Sequence, residues 1–81
     1  MTKHAFVLIN VDIGTEKEIL SELKKIPYIK EAWMVYGVYD MVVKIEADSL
    51  EQVKEAISSN IRKLEGVRNT LTLIPIEGFT S

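Results

Sequence analysis

A chain of 81 residues, 47% hydrophobic and 27% charged, has room for one globular domain with a small core. Its formal charge of −2 gives no basic excess for neutralising phosphates, which argues against a nucleic-acid-binding surface. With no Cys and one histidine, His4, disulfides and thiolate metal sites are excluded and no metal centre is expected, so self-association is the remaining stabilising device.

In chain order, Met-Thr-Lys-His leads straight into a strand pattern with no signal-peptide region, and no apolar run approaches the roughly 20 residues of a membrane span. A cytoplasmic, non-membrane protein is the expectation. Residues 5–11 (AFVLINV) are almost continuously apolar and β-branched, as in a strand buried on both faces. After a loop at residues 12–15, Thr15 and Glu18 have capping-box spacing. The helix at residues 16–26 puts Ile19, Leu20, Leu23 and Ile26 on one stripe, and Pro27 ends it.

Residues 31–36 read as a strand with Ala32, Met34 and Tyr36 on one face and Trp33 and Val35 on the other. Residues 41–47 form a third strand in which Met41, Val43, Ile45 and Ala47 alternate with Val42, Lys44 and Glu46. A second helix opens at Asp48-Ser49, where both Asp48/Glu51 and Ser49/Gln52 fit the capping spacing. Leu50, Val53, Ile57, Ile61 and Leu64 form its inner stripe, and Gly66 takes the C-cap position. The last strand, residues 67–76, sends Val67, Asn69, Leu71 and Leu73 one way and Arg68, Thr70, Thr72, Ile74 and Ile76 the other.

The order β-α-β-β-α-β predicts an α+β, ferredoxin-like sandwich over residues 1–81: a four-stranded antiparallel sheet with both helices on one face. Its open face would carry Trp33, Val35, Val42, Ile74 and Ile76, with either Phe6 and Leu8 or Val7 and Ile9. So many large apolar groups on an uncovered face describe a dimer interface. Phe79, in the tail, is the one group able to fold back over some of them.

Between the second and third strands runs VYGVYD, residues 35–40, a hairpin tip with one Gly, two tyrosines and an acid instead of the usual small polar residues. A glycine-containing tip exposes backbone N–H groups, and Asp40 either orients a ligand ammonium or fixes the turn on its own backbone. An RNA-binding reading fails for want of a third-strand aromatic and a basic stripe. An enzyme has only His4, Asp12, Asp40, Tyr36 and Tyr39 to draw on, and no catalytic residue is assigned.

The sequence Val35-x-Gly37-x-Tyr39-Asp40, then Met41-Val42-Val43-Lys44-Ile45, Leu64-Glu65-Gly66-Val67 and Asn69-Thr70-Leu71-Thr72, resembles the effector domain of the Lrp/AsnC transcription regulators. The order and spacing of these motifs run from about Ala5 to Ile76. The resemblance implies sheet-to-sheet dimers joined into rings, often octamers, with amino acid effectors in clefts between dimers. Gly37, Val38, Tyr39 and Asp40 would line that cleft, with Thr70 and Thr72 offering hydroxyls. Nothing resembling a helix-turn-helix precedes the first strand, so the expectation is a stand-alone effector domain. Such a domain does not bind DNA directly and needs no cofactor; it assembles with itself or with a full-length regulator. Asp40 would repel an acidic effector, so an apolar or small polar amino acid is expected. The alternatives are a small ferredoxin-like dimeric enzyme of monooxygenase or isomerase type, and an assembly domain without a ligand.

Overall fold

The computed structural model describes residues 3–81. Strand β1 (Lys3–Val11) is followed by helix α1 (Glu16–Leu23), strands β2 (Ile29–Met34) and β3 (Met41–Ala47), helix α2 (Leu50–Glu55) and strand β4 (Val67–Leu73). Beyond α2 the chain widens into a π-helical turn, Ala56–Asn60, then tightens into a 3-10 turn, Ile61–Lys63. The sheet has the order β2-β3-β1-β4 with every neighbouring pair antiparallel. This is the ferredoxin-like α+β architecture.

Both central strands alternate strictly. Ala5, Val7, Ile9 and Val11 of β1 and Met41, Val43, Ile45 and Ala47 of β3 are buried under the helices. Ile19, Leu23, Val53, Ala56, Ile57 and Ile61 complete the core from the helical side. At about 1.5–3 kcal/mol for each large apolar side chain removed from water, this layer supplies the main favourable term. Leu20, Ile26 and Leu64 pack partly against it as expected, whereas Leu50 stays 40% exposed.

The open face differs from expectation in two respects. First, β1 is buried on one face only, and its continuous apolar run arises because Phe6 and Leu8 occupy the uncovered side. Second, β4 presents the opposite face from the one expected. Leu8 pairs with Leu71 and Phe6 with Leu73, so those leucines lie on the open face, while Thr70 and Thr72 pair with Ile9 and Val7 on the helical side. Ile74 lines a groove with Val53 and Ile57 on that helical side, and Ile76, past the strand and 98% exposed, lies beside Phe6. A register shift opposite Asn10 and Val11 turns Val67 toward the core before the strand settles. Trp33 pairs with Val42 on the open face as expected. Phe79 is 92% exposed and does not cover that face.

The helix ends also separate the three capping proposals: at α2 the cap is Ser49 and not Asp48, whose backbone N donates to Gln52 Oε1 at 3.0 Å. Ser49 and Gln52 form the reciprocal box, with Gln52 N donating to Ser49 Oγ at 3.2 Å and Ser49 N to Gln52 Oε1 at 3.2 Å. Thr15 does not cap α1; its hydroxyl donates back to the Asp12 carbonyl at 2.7 Å. Helix α1 stops at Leu23, three residues short of expectation, and the turns Lys25 N to Glu22 O and Ile26 N to Leu23 O carry the chain toward Pro27. Gly66 lies beyond the last helical turn at φ +101°, where a Cβ would sit 3.0 Å from Thr15 Oγ1 and 3.1 Å from Ile19 Cδ1. Gly66→Ala combines left-handed strain with that contact and is expected to lower stability by roughly 2 kcal/mol, against about 1 kcal/mol for loss of the Ser49 cap in Ser49→Ala. Urea denaturation of both variants checks the ranking.

Candidate functional site

The tip at residues 35–40 is held by its stem more than by its own residues. Val35 N donates to Asp40 O at 3.0 Å, closing the loop, and Asp40 N donates to Ile9 O at 2.9 Å. The Asp40 carboxylate then reaches the exit of β1, where Oδ2 accepts from Val11 N at 2.9 Å and from Asn10 Nδ2 at 3.4 Å. Asn10 Nδ2 also donates to Val38 O at 2.9 Å, and Asn69 Nδ2 donates to Asn10 Oδ1 at 3.5 Å. Asp40 therefore fixes the turn, as one of its two expected roles required, but through a strand nearly thirty residues earlier and not through its own backbone.

Above this anchor the tip is unsupported. Tyr36 and Val38 are 108% and 87% exposed, Tyr39 is half-buried, and Gly37 has φ +154° with nothing within 4 Å of a built Cβ. A loop so placed presents its backbone and the Tyr36 ring outward. Beneath it lies a groove of about 410 Å³ lined by Glu16, Met34, Val35, Tyr36 and Asp40. Its two carboxylates suit a cationic group, and its Met and Val walls suit apolar atoms.

Thr70 and Thr72 lie elsewhere. They occupy the helical side of the edge strand β4, where Arg62 Nε donates to Thr70 Oγ1 at 3.1 Å. Thr72 lines a separate groove of about 300 Å³ with Val53, Lys54, Ile57, Ser58, Arg62 and Ile74. Within one protomer the threonines and the tip thus belong to different grooves. Arg62, Lys54, Glu16 and Asn10 are groove or anchor residues that the sequence reading passed over. The spacing of Lys54, Ser58 and Arg62, each four residues from the next beside the buried Val53-Ile57-Ile61 stripe, was a signal for Lys54 and Arg62.

The open face carries a belt, Trp33–Val42–Leu8–Leu71, running across all four strands. Trp33 is 62% exposed and Leu71 44%, and the indole Nε1 donates to Glu31 Oε1 at 3.2 Å. Beside the belt, Lys44 Nζ lies 3.7 Å from Glu31 Oε2 and 3.5 Å from Glu46 Oε2. Among the described residues no helix is long and apolar enough to cross a membrane.

Removing the Asp40 carboxylate strands the Val11 amide and loosens Asn10. Asp40→Ala is expected to lower stability by about 1–3 kcal/mol. Asp40→Asn keeps an acceptor oxygen and should lose less. Chemical denaturation with hydrogen exchange at the Val11 amide tests both points.

Comparison with known proteins places this geometry. The Lrp/AsnC ligand binding domain family matches residues 4–80. The chain is 38% identical over 73 residues to the HTH-type transcriptional regulator FL11 of Pyrococcus furiosus, covering 90% of this chain and 48% of that protein. It thus spans about half the length of the curated relatives it matches. The crystal structure of FFRP-DM1 superposes with a TM-score of 0.86 at 39% identity, covering 91% of this chain and 99% of that one. The fold is also that of Escherichia coli AsnC, with a TM-score of 0.89 at 19% identity over 98% of this chain and 54% of that chain. The curated relatives are HTH-type transcriptional regulators, not enzymes. The chain belongs to the Lrp/AsnC family, as its ligand-binding domain.

Proposed function

We propose that the domain senses an amino acid and reports it by changing how copies of the chain assemble. The observation that carries this reading is the pairing of an uncovered apolar belt with an outward-facing tip. A face carrying Trp33, Val42, Leu8 and Leu71 in water is stabilised when a second layer covers it. Pairing sheet to sheet would bury the belt with Phe6 and Leu73, while Val35, 40% exposed, lines the tip groove with Glu16 and Met34 and stays an interface candidate there. The tips remain outward to join dimers into rings, up to octamers. Ile74 and Ile76 stay interface candidates by their exposure, Ile74 for contacts on the helical side.

The effector lies where the tip residues Gly37, Val38, Tyr39 and Asp40 of one subunit meet Thr70 and Thr72 of another. The carboxylates of Glu16 and Asp40 face its ammonium, and Met34 and Val35 favour an apolar or small polar side chain. The domain acts on transcription through a full-length regulator with which it co-assembles, or through its own assembly state.

Thermal unfolding against each common amino acid tests the sensor. A ligand at a hundred times its Kd adds about 2.7 kcal/mol to the native state, which for so small a domain is a shift of several degrees. A shift confined to one or a few amino acids is expected; none with any of them ends the amino acid reading. Gly37→Trp meets no other part of the protomer at its Cβ but strains the tip at φ +154°, so it should abolish that shift while the far-ultraviolet spectrum, which reads the helices and sheet, stays native. Leu8→Asp buries a charge in any sheet-to-sheet contact. It should halve the particle mass or reduce it further in light scattering, and an unchanged mass would rule out pairing through this face.

A further inference from the structure

The groove between the second helical segment and β4 has a chemistry of its own. Its lining comprises Lys54 and Arg62, the hydroxyls of Ser58 and Thr72, and the apolar side chains of Val53, Ile57 and Ile74, with no carboxylate among them. In a chain with 12 acids against 10 bases, a groove with two cations and no acid is a local reversal of the overall charge. Among the described residues neither Lys54 nor Arg62 is within ion-pair distance of a carboxylate, so their charge is not consumed internally.

Arg62 is also aimed. Its Nε is tied to Thr70 Oγ1 at 3.1 Å, which fixes the guanidinium plane against β4 and leaves the terminal nitrogens to donate elsewhere. The accessible apolar surface is Ile74, 46% exposed, with Val53 and Ile57 buried behind it at 0% and 5% exposure. Lys54, Ser58 and Arg62 line one side because each lies four residues after the last, and the π-helical turn Ala56–Asn60 widens the backbone between them. At about 300 Å³ the groove accommodates a small molecule and no more.

We infer that this groove, within a single protomer, binds a small carboxylate with a branched apolar chain and does not require an ammonium group. The carboxylate takes paired donors from Arg62 and hydroxyl donors from Ser58 and Thr72, with Lys54 adding field strength. The chain lies against Ile74, with Ile57 behind it. A phosphate fits less well, because the apolar floor would face its remaining charged oxygens. The site shares Thr72 and the Arg62-bound Thr70 with the effector reading and otherwise stands apart from it: a branched-chain acid lacking nitrogen satisfies every group in the groove, whereas the tip groove, with Glu16 and Asp40, repels it.

Isothermal titration of the full chain with isovalerate and with isovaleramide, its neutral isostere, tests the site. Isovalerate is expected to bind at least about tenfold more tightly than the amide, the discrimination of a charge-assisted contact, with affinity falling as salt rises. Arg62→Gln should erase that preference and Thr70→Val, which unties the guanidinium, should weaken it. Lys63→Gln, which removes an equal charge outside the groove, should leave it intact. Equal binding of acid and amide, binding that survives Arg62→Gln, or no binding of isovalerate at all would each overturn the inference. Leucine separates it from the effector reading. Thermal stabilisation by an amino acid without isovalerate binding sinks the groove and leaves the sensor. Arg62-dependent isovalerate binding with no response to any amino acid does the reverse.

Discussion

The two helices of this chain can shield one face of a four-stranded sheet, and most of its other features follow from how the uncovered face is furnished. The alternation of β1 and β3 puts four apolar residues from each strand under the helices, and the opposite positions must then face outward. In an independent domain those positions would be polar. Here they are Phe6, Leu8 and Val42 in the middle, with Trp33 and Leu71 at the flanks. The polar residues on this face are confined to its ends: Lys44 between Glu31 and Glu46 on one side, Asn10, Asn69 and Asp40 on the other. The division leaves a dry strip bounded by two sets of polar groups.

The second of those ends is also the base of the tip. Asp40 spends its carboxylate on the exit of β1, so the loop is anchored to the middle of the sheet and not only to its own hairpin stem. Asn10 extends the same network to Asn69 of β4. A load applied to the tip therefore reaches strands on both sides of β1 through hydrogen bonds. The loop itself keeps its freedom because its outer residues touch little of the protomer.

The element order, the core stripe of α1 and the alternation of β3 could be read from periodicity because each depends on a local repeat. So could the Ser49–Gln52 box, whose partners are three residues apart. What could not be read depends on partners distant in sequence. Thr15 and Glu18 have the same spacing as a capping box, yet the Asp12 carbonyl takes the hydroxyl instead. In β4 the alternation of Thr with Leu was plain, but which set faces the helices is decided by pairing with β1 and by the irregularity opposite Val11. The natural assumption that leucines go inward failed because the outward face is itself apolar. The candidate site shows the same split. The tip was visible as an unusual turn, whereas the hold of Asp40 on Val11 and the hand of Arg62 on Thr70 join residues from separate elements.

The central position of β1 has a consequence for how the chain is made. Within this domain β1, the first of the four strands to be made, is flanked in the finished sheet by β3 and by β4, the last of the four, with Phe6 opposite Leu73. One of its backbone edges stays unpaired until β4 has been made, and its apolar side chains lack their final neighbours until then. The sheet thus closes only once β4 has been made, through contacts of wide sequence separation that form slowly. During that interval the nascent chain exposes a hydrophobic strand with an open edge, the segment a chaperone would hold and the one most prone to pair with the wrong copy.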